Sequence, residues 1–499
     1  MSGEILSNSR VHPMKICCIE SSPHVPIQVN ALLDSWSFFA CYSVGLPPMS
    51  FWSHIRQELR PTISLAVPLV LAELGWMTMG IVDTVMVGHL PNSAVAIGAV
   101  ALSSNVFTTI ALFGLGLLLG LDTLVSQAFG AGKREDCHRS LVNSIYLSIA
   151  LTPLLLVPVW LLPRFFRAMG ANAEVVALSV PYINALAWGL LPLLLFFALR
   201  RCVQAMNMVR PVAFALVSAN IINAVGNYVL IYGKWGFPQM GVPGSGWSTT
   251  LSRAYMALVL LVYLLWYDRK HRTDLLNTPI DIDFPRIKRL LALGFPAAMQ
   301  FTLEGGVFAL VTTLIARLGP VPLATHQIAL NTVAFTYMVP LGIASAAAVR
   351  VGQAIGRRDP KGAAAAGDTA IFLGAAFMTL AGVALLVFPR WIALIYTPDE
   401  TVIRATGMLL AAGAAFQLFD GIQTAATGAL RGAGETRIPM LCHFTAYWII
   451  GLPLGAWLTF RHNLGALGLW LGLSLALILI GIVLWIAWRR MVHKFAETL

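Results

Sequence analysis

Twelve apolar segments, each of about the length needed to cross a bilayer, dominate this chain of 499 residues. They fall at roughly 62–87, 94–120, 140–162, 176–200, 211–232, 247–267, 290–316, 324–349, 366–388, 405–428, 440–459 and 464–487. In hydrocarbon every backbone polar group must find its partner inside the protein, so such segments fold as helices and pack together. The sequence therefore predicts an all-α polytopic membrane protein. Two segments carry acids where an acid is costly. Residues 68–90 read PLVLAELGWMTMGIVDTVMVGHL, with Glu73 and Asp83, and residues 296–318 read PAAMQFTLEGGVFALVTTLIARL, with Glu304. A carboxylate inside a span faces a cavity, pairs with a base, or marks an ion path.

Composition narrows the function. Hydrophobic residues make up 58% of the chain and charged residues 11%, against about 25% charged in soluble domains. The net charge of +11 does not point to nucleic acid, because no soluble domain presents a basic patch. The excess instead follows the loops: twenty-three Lys and Arg lie in loops of one parity and seven in the other. The rich side, which holds both termini, is expected to be cytoplasmic. The six cysteines form no CxxC pair, so neither a disulfide framework nor a metal site is expected. Cys137-His138 is expected on a solvated loop. No HExxH and no GxxxxGK[ST] motif is present, which disfavours a zinc protease or an ATP-driven pump, and no enzyme is expected. Scattered acids rather than a filter loop argue against a channel.

The chain is expected to divide as follows. Residues 1–54 form a disordered cytoplasmic tail without a signal peptide, in which Met49 is an alternative start. Residues 55–267 form a six-helix lobe, 268–289 a charged cytoplasmic linker, 290–488 a second six-helix lobe, and 489–499 a short cytoplasmic tail. Three correspondences make the lobes a repeat. The acid-bearing segments begin at Pro68 and Pro296, 228 residues apart, and Ala96–Leu102 then matches Ala324–Leu330. Gln127-Ala-Phe-Gly matches Gln353-Ala-Ile-Gly, and Gln204–Pro211 matches Gly432–Pro439. Six spans is an even number, so both lobes enter from the same side. The repeat is parallel, with its pseudo-twofold axis along the membrane normal and a cavity between the lobes.

The runs VDTVMVGHL (82–90), LDTLVSQAFGAGK (121–133), ATHQIALN (324–331), RVGQAIG (350–356) and ALRGAGETRIPM (429–440) resemble the multidrug and toxic compound extrusion family, most closely its bacterial NorM-type branch. The resemblance covers about residues 55–490. It implies an antiporter of the cell inner membrane that expels cationic or amphipathic organic compounds. Entry of H+ or Na+ would drive it, with no other cofactor and a single chain as the working unit. It also implies site residues: Asp83 as the first-helix carboxylate, with Asn223 and Asn227 four residues apart on one face of the fifth helix. Some relatives carry an aspartate where Asn227 stands. In the second lobe Glu304 and Asp420 match a glutamate and an aspartate of relatives, and Phe416 stands one turn before Asp420.

Chemistry gives these residues work. Burial penalises a charged carboxyl, so the charge of Asp83 can change as the cavity wets or closes. Glu304 precedes Gly305-Gly306, where a helix can distort. With Asp420 it offers hard oxygen ligands for Na+, or a counter-charge for a cationic substrate. Gln300, one turn before Glu304 on the same face, is placed either to orient it or simply to satisfy it. Glu73 and Asp122 lie nearer the basic side, where pairing with Arg or Lys is expected, for Asp122 as part of a gate. Arg253 is the one base inside a span and a candidate partner for an acid. His326 is read as a packed histidine ahead of a titrating one. Trp76, Met77 and Met79 are candidates for the cavity wall. The competing function is a flippase for lipid-linked saccharides, which shares the two-lobed architecture. Such a cavity favours basic residues, and the charges here are mainly acidic.

Overall fold

Helix is the only regular structure among the described residues, as the hydrocarbon constraint demands. The computed structural model describes residues 51–498 except 92, 169–172 and 272–277, so residues 1–50 of the expected N-terminal tail, with Met49, lie outside the described residues, while 51–54 open the first helix. The helices are α1 Phe51–Val87, α2 Ser93–Leu118 continued after Leu119 by Gly120–Gly130, and α3 Arg134–Ala168. Then come α4 Ala173–Trp188 with Leu190–Ala205, α5 Arg210–Tyr232 and α6 Val242–His271. The second half holds α7 Phe284–Ala316, α8 Pro320–Gly356, α9 Pro360–Val387 and α10 Glu400–Gly432. It ends with α11 Arg437–Arg461 and α12 Ala466–Thr498. A short helix, Pro389–Leu394, joins α9 to α10.

Among the described residues, eleven helices are long and apolar enough to span a membrane, and the bent α4 pair counts as the twelfth. The structure departs from the sequence reading at four elements. The fourth segment is bent by 42° at Gly189, where Pro192 has no N–H to give the Trp188 carbonyl and a Cβ at Gly189 would strike Thr250 Oγ1 at 2.6 Å. The eleventh contains a π-helical stretch, Phe444–Gly451. The linker expected over 268–289 is helical at both ends, because α6 runs to His271 and α7 starts at Phe284. Asp283 caps α7 by accepting the backbone N–H of Arg286 at 3.0 Å and its Nε–H at 3.1 Å. Those two donors hold its carboxyl below the ordinary aspartate range. At the C-terminus, residues 489–498 continue α12.

Two apolar cores correspond to the two halves. One is built on Phe107, Phe166, Tyr182, Phe196 and Leu260, the other on Leu410, Phe416, Tyr447, Trp470 and Trp488. The first helix of each half reaches into the other core. Leu65, Ala66 and Leu69 of α1 join the second, while Leu290 and Ala298 of α7 join the first. Outward faces are apolar too, as at Leu154, Trp160, Phe214, Ile221, Leu380 and Val383, which is the surface lipid requires.

The halves meet at the Lys- and Arg-rich end, and they meet reciprocally. Gln127 of α2 donates to the Gly432 carbonyl at the end of α10 at 3.0 Å. Its repeat partner Gln353 of α8 donates to the Ala205 carbonyl at the end of α4 at 2.8 Å. A Cβ on Gly130 would collide with the Gln353 carbonyl, and one on Gly356 with the Gln127 carbonyl. Deeper in, Gly116 lies against Ala298 and Gly342 against Val70, and each pair maps onto the other under the repeat. The Gln-Ala-x-Gly motif is thus a clasp: glutamine caps an orphan carbonyl of the opposite half, and glycine permits the approach. The Cys137-His138 pair sits near this end but is buried, not solvated. Cys137 is fully enclosed, with its thiol toward the Val125 carbonyl at 3.6 Å, and His138 bonds Thr278 at 3.4 Å. α3 begins at Arg134 rather than 140, so both residues fall on a helix face packed into the bundle.

Charge completes the seal. Asp122 is held between Arg201 of its own half at 3.3 Å and Arg431 of the other at 3.2 Å. Arg200 pairs with Glu73, and Arg350 pairs with Glu58 across the halves. Thr123 donates to the Arg431 carbonyl.

Two outcomes follow. Asp122→Asn leaves Arg201 and Arg431 buried without a counter-charge, a loss of about 3–5 kcal/mol. The unfolding midpoint in detergent will fall, and adding Arg431→Gln will recover most of the loss. Gly356→Val will hold the basic ends apart. A Ser126→Cys reporter, buried beside Gly352, will then react with a polar maleimide about tenfold faster, the rate following the open population. Unchanged reactivity would show that the clasp does not seal this end.

Candidate functional site

Each half encloses one acid site away from the sealed end. In the first half the α1 carboxylate Asp83 is buried against α5 and α6. Its Oδ1 accepts from Asn227 Nδ2 at 2.7 Å, and its Oδ2 accepts from Thr249 Oγ1 at 2.7 Å. Asn227 also donates to Asn223 Oδ1 at 3.3 Å, and Ser248 Oγ donates to the Asn223 carbonyl at 2.8 Å. The four-residue spacing of the two asparagines places both on the α5 face toward α1, as expected. Arg253 does not form an ion pair with Asp83 among the described contacts. Its guanidinium lies over the Phe107 ring at 5.1 Å, close enough for its field to reach both Asp83 and Tyr182. Tyr182 in turn bonds Ser104 at 2.9 Å. Both Asp83 oxygens are therefore satisfied by neutral donors. That stabilises the carboxylate without cancelling its charge.

The second site uses α7, α8, α10 and α11. Asp420 Oδ1 accepts from Gln423 Nε2 at 2.9 Å. Glu304 lies within electrostatic reach of Asp420, and its Oε2 is enclosed without a hydrogen-bond partner. Tyr337 and Tyr447 lie within electrostatic reach of both acids. His443 Nε2 stands 4.0 Å from Glu304 Oε2. Gln300 contacts His443 at 3.4 Å, so it reaches Glu304 through the histidine rather than directly. Phe416 is buried and packs on Trp470, ring centroids 6.2 Å apart. It supplies shape, while Tyr337 and Tyr447 supply hydroxyls near the acids. The oxygen donors a monovalent cation would need here are those of Glu304 and Asp420. No group of three or more His, Cys, Asp or Glu side chains among the described residues is placed to hold a metal ion.

The other candidates have structural partners. Glu73 belongs to the Arg200 pair and Asp122 to the two arginines at the sealed end. His326 accepts from Trp470 Nε1 at 3.0 Å and shares a hydrogen bond with Thr312 at 2.9 Å, so it is a packed, satisfied histidine. Trp76 is half-buried against Phe197, edge to face at 6.4 Å. Sequence reasoning did not single out Thr249, Tyr337, His443 or Tyr447. Thr249 lies in the polar run GSGWSTT, and His443 and Tyr447 stand four apart in an otherwise apolar segment. Polar side chains clustered inside a span were the legible signal.

Known proteins share this architecture. The structure matches a eukaryotic MATE transporter, AtDTX14, with a TM-score of 0.80 at 21% identity, covering 89% of this chain and 99% of that one. It matches the outward-facing conformation of a multidrug resistance MATE family transporter of the MOP superfamily equally well, with a TM-score of 0.80 at 19% identity, over 88% and 96%. At these identities the likeness speaks for the fold: two lobes of six helices each. Curated relatives are nearer in sequence. The probable multidrug resistance protein NorM of Bradyrhizobium diazoefficiens is 35% identical over 453 residues, 89% of this chain and 95% of the relative. Its namesake in Synechocystis is 34% identical over 446 residues, 88% and 96%. A family model described as MatE matches twice, at residues 68–229 and 296–457, once in each half and 228 residues apart. The chain belongs to the MatE family.

Proposed function

We propose that this protein exports cationic or amphipathic organic compounds across the cell inner membrane in exchange for H+ or Na+, by alternating access. The observation that carries the reading is the pairing of a sealed basic end with one acid site per half, held away from that seal and lacking an ion pair to Lys or Arg among the described contacts. The names of the NorM relatives agree with it. Taking the basic end as cytoplasmic, the described state is closed to the cytoplasm. A coupling ion arriving from outside meets carboxylates first. Binding at one site biases the rocking of one half against the other, and reciprocity of coupling makes the outward substrate step and the inward ion step one cycle. Both termini then lie in the cytoplasm, and a single chain completes both sites. The arginines a pyrophosphate-bearing lipid would need, Arg200, Arg201 and Arg431, are committed to Glu73 and Asp122 at the seal. This weighs against the flippase alternative.

Reconstitution tests the reading. Vesicles holding a fluorescent organic cation will export it under an imposed proton gradient or an imposed sodium gradient. Asp83→Asn or Glu304→Gln will lower that export about tenfold, the scale of a typical coupling free energy. A proton-driven signal lost in Asp83→Asn places coupling in the first half, and a sodium-driven one lost in Glu304→Gln places it in the second. No gradient-driven movement of any organic cation, from protein that is folded and inserted, would overturn the proposal.

A further inference from the structure

The π-helical stretch of α11 lies directly against the part of α7 that carries Glu304. His443, the last residue before the stretch, is fully buried. Its Nδ1 is 2.7 Å from the Pro439 carbonyl, a contact that requires the proton on Nδ1, so the neutral ring presents Nε2 as a bare acceptor. Gln300 Nε2 donates to that acceptor at 3.4 Å. Glu304 Oε2, 4.0 Å away, therefore faces a lone pair and not a donor, which accounts for its lack of a protein partner. Trp448 Nε1 donates to the Leu303 carbonyl at 3.1 Å, one residue before Glu304, and its ring lies against Gly306, where a Cβ would come within 3.3 Å.

The π turn makes this grip possible. At 100° per residue, an α turn would carry a side chain five positions on about 140° round the helix from its start. An i→i+5 turn returns it nearly to the same face. His443 and Trp448 thus both address α7, with Tyr447 between them, edge-on to the His443 ring at 5.7 Å and to Phe308 at 6.1 Å. The widened turns leave α11 with a local hydrogen-bond pattern of higher energy than regular α-helix, a cost of the kind that recurs at functional positions.

We propose that His443 and Trp448, through the π-helical stretch, form a positioning clamp that fixes the Glu304 backbone and keeps its Oε2 without a protein donor, so that the coupling cation becomes its partner. The proposal rests on the antiport reading and assigns these two residues a role through Glu304, not a role as ligands. Removing the clamp therefore weakens the apparent affinity for the coupling cation more than it slows the maximal rate.

The test uses full-length protein in vesicles and whichever cation, sodium (against choline) or proton, drives export in the wild type. The readouts are the cation concentration giving half-maximal export and the maximal rate at saturation. His443→Phe and Trp448→Phe are each expected to raise the half-saturating concentration about tenfold, the lower end of what residues behind a cation ligand contribute, with the maximal rate within twofold. His443→Gln, which can present an acceptor where Nε2 stood, is expected to return the value to within about threefold of wild type. Half-saturation unchanged in both phenylalanine variants would overturn the clamp, as would a loss confined to maximal rate or failure of the glutamine variant to rescue. Should a variant prove unstable, Gln300→Leu tests the same contact from α7 with the same expectation. The antiport reading fails on a different result, wild-type protein that exports nothing under either gradient, and the clamp falls with it.

Discussion

A charge inside a low-dielectric bundle must be neutralised, hydrogen-bonded or put to use, and this constraint sorts the acids of the chain. At the basic end, Asp122, Glu73 and Glu58 are each matched by arginine, and two of these networks cross between the halves. Away from that end, Asp83 has neutral donors only, and Glu304 has an oxygen with none. The first group closes one face. The second is left for something that brings positive charge. The proposed exchange rests on the contrast between them: satisfied ion pairs at the closed end, and carboxylates elsewhere that lack one.

The repeat explains the closure but not the chemistry. Gln127 and Gln353, Gly130 and Gly356, Gly116 and Gly342 act as twofold copies, each contact answered by its mate. The acid sites are not copies. An offset of 228 residues sets Asp83 opposite Val311 and Glu304 opposite Trp76. The interface keeps the twofold symmetry of the repeat. The two interiors diverged, one toward an aspartate in an amide and hydroxyl cage, the other toward a glutamate and an aspartate among tyrosines. On the proposed exchange, unlike sites would let one half take an ion and the other a substrate without competition for a single pocket.

Much of this was legible in the sequence. Apolar length gave the helices, loop charge gave the two faces, and recurrence of Gln-Ala-x-Gly gave the repeat. Asp83, Asn223, Asn227, Glu304 and Asp420 fall where spacing and resemblance placed them, on α1, α5, α7 and α10. What stayed hidden depends on tertiary contact. Gln300 was read as orienting Glu304 because both share one α7 face, yet the amide turns to His443, a residue 143 positions away. Arg253, read from the sequence as the one base within a span, looked like an ion-pair partner and instead lies on Phe107. A π turn changes which residues share a face, so no reading at 100° per residue could have aligned His443 with Trp448.

The central claim is that the halves rock about the clasp, exposing the acid sites to one side at a time. Spin-label distances measure this directly. One pair, at Lys133 and Lys361, spans the basic end, and another, at Pro91 and Arg317, spans the opposite end, all four residues being exposed. Addition of an exported organic cation, or a change of coupling cation, is expected to lengthen the first distance while shortening the second. Two distances that stay fixed, or that lengthen and shorten together, would contradict the account.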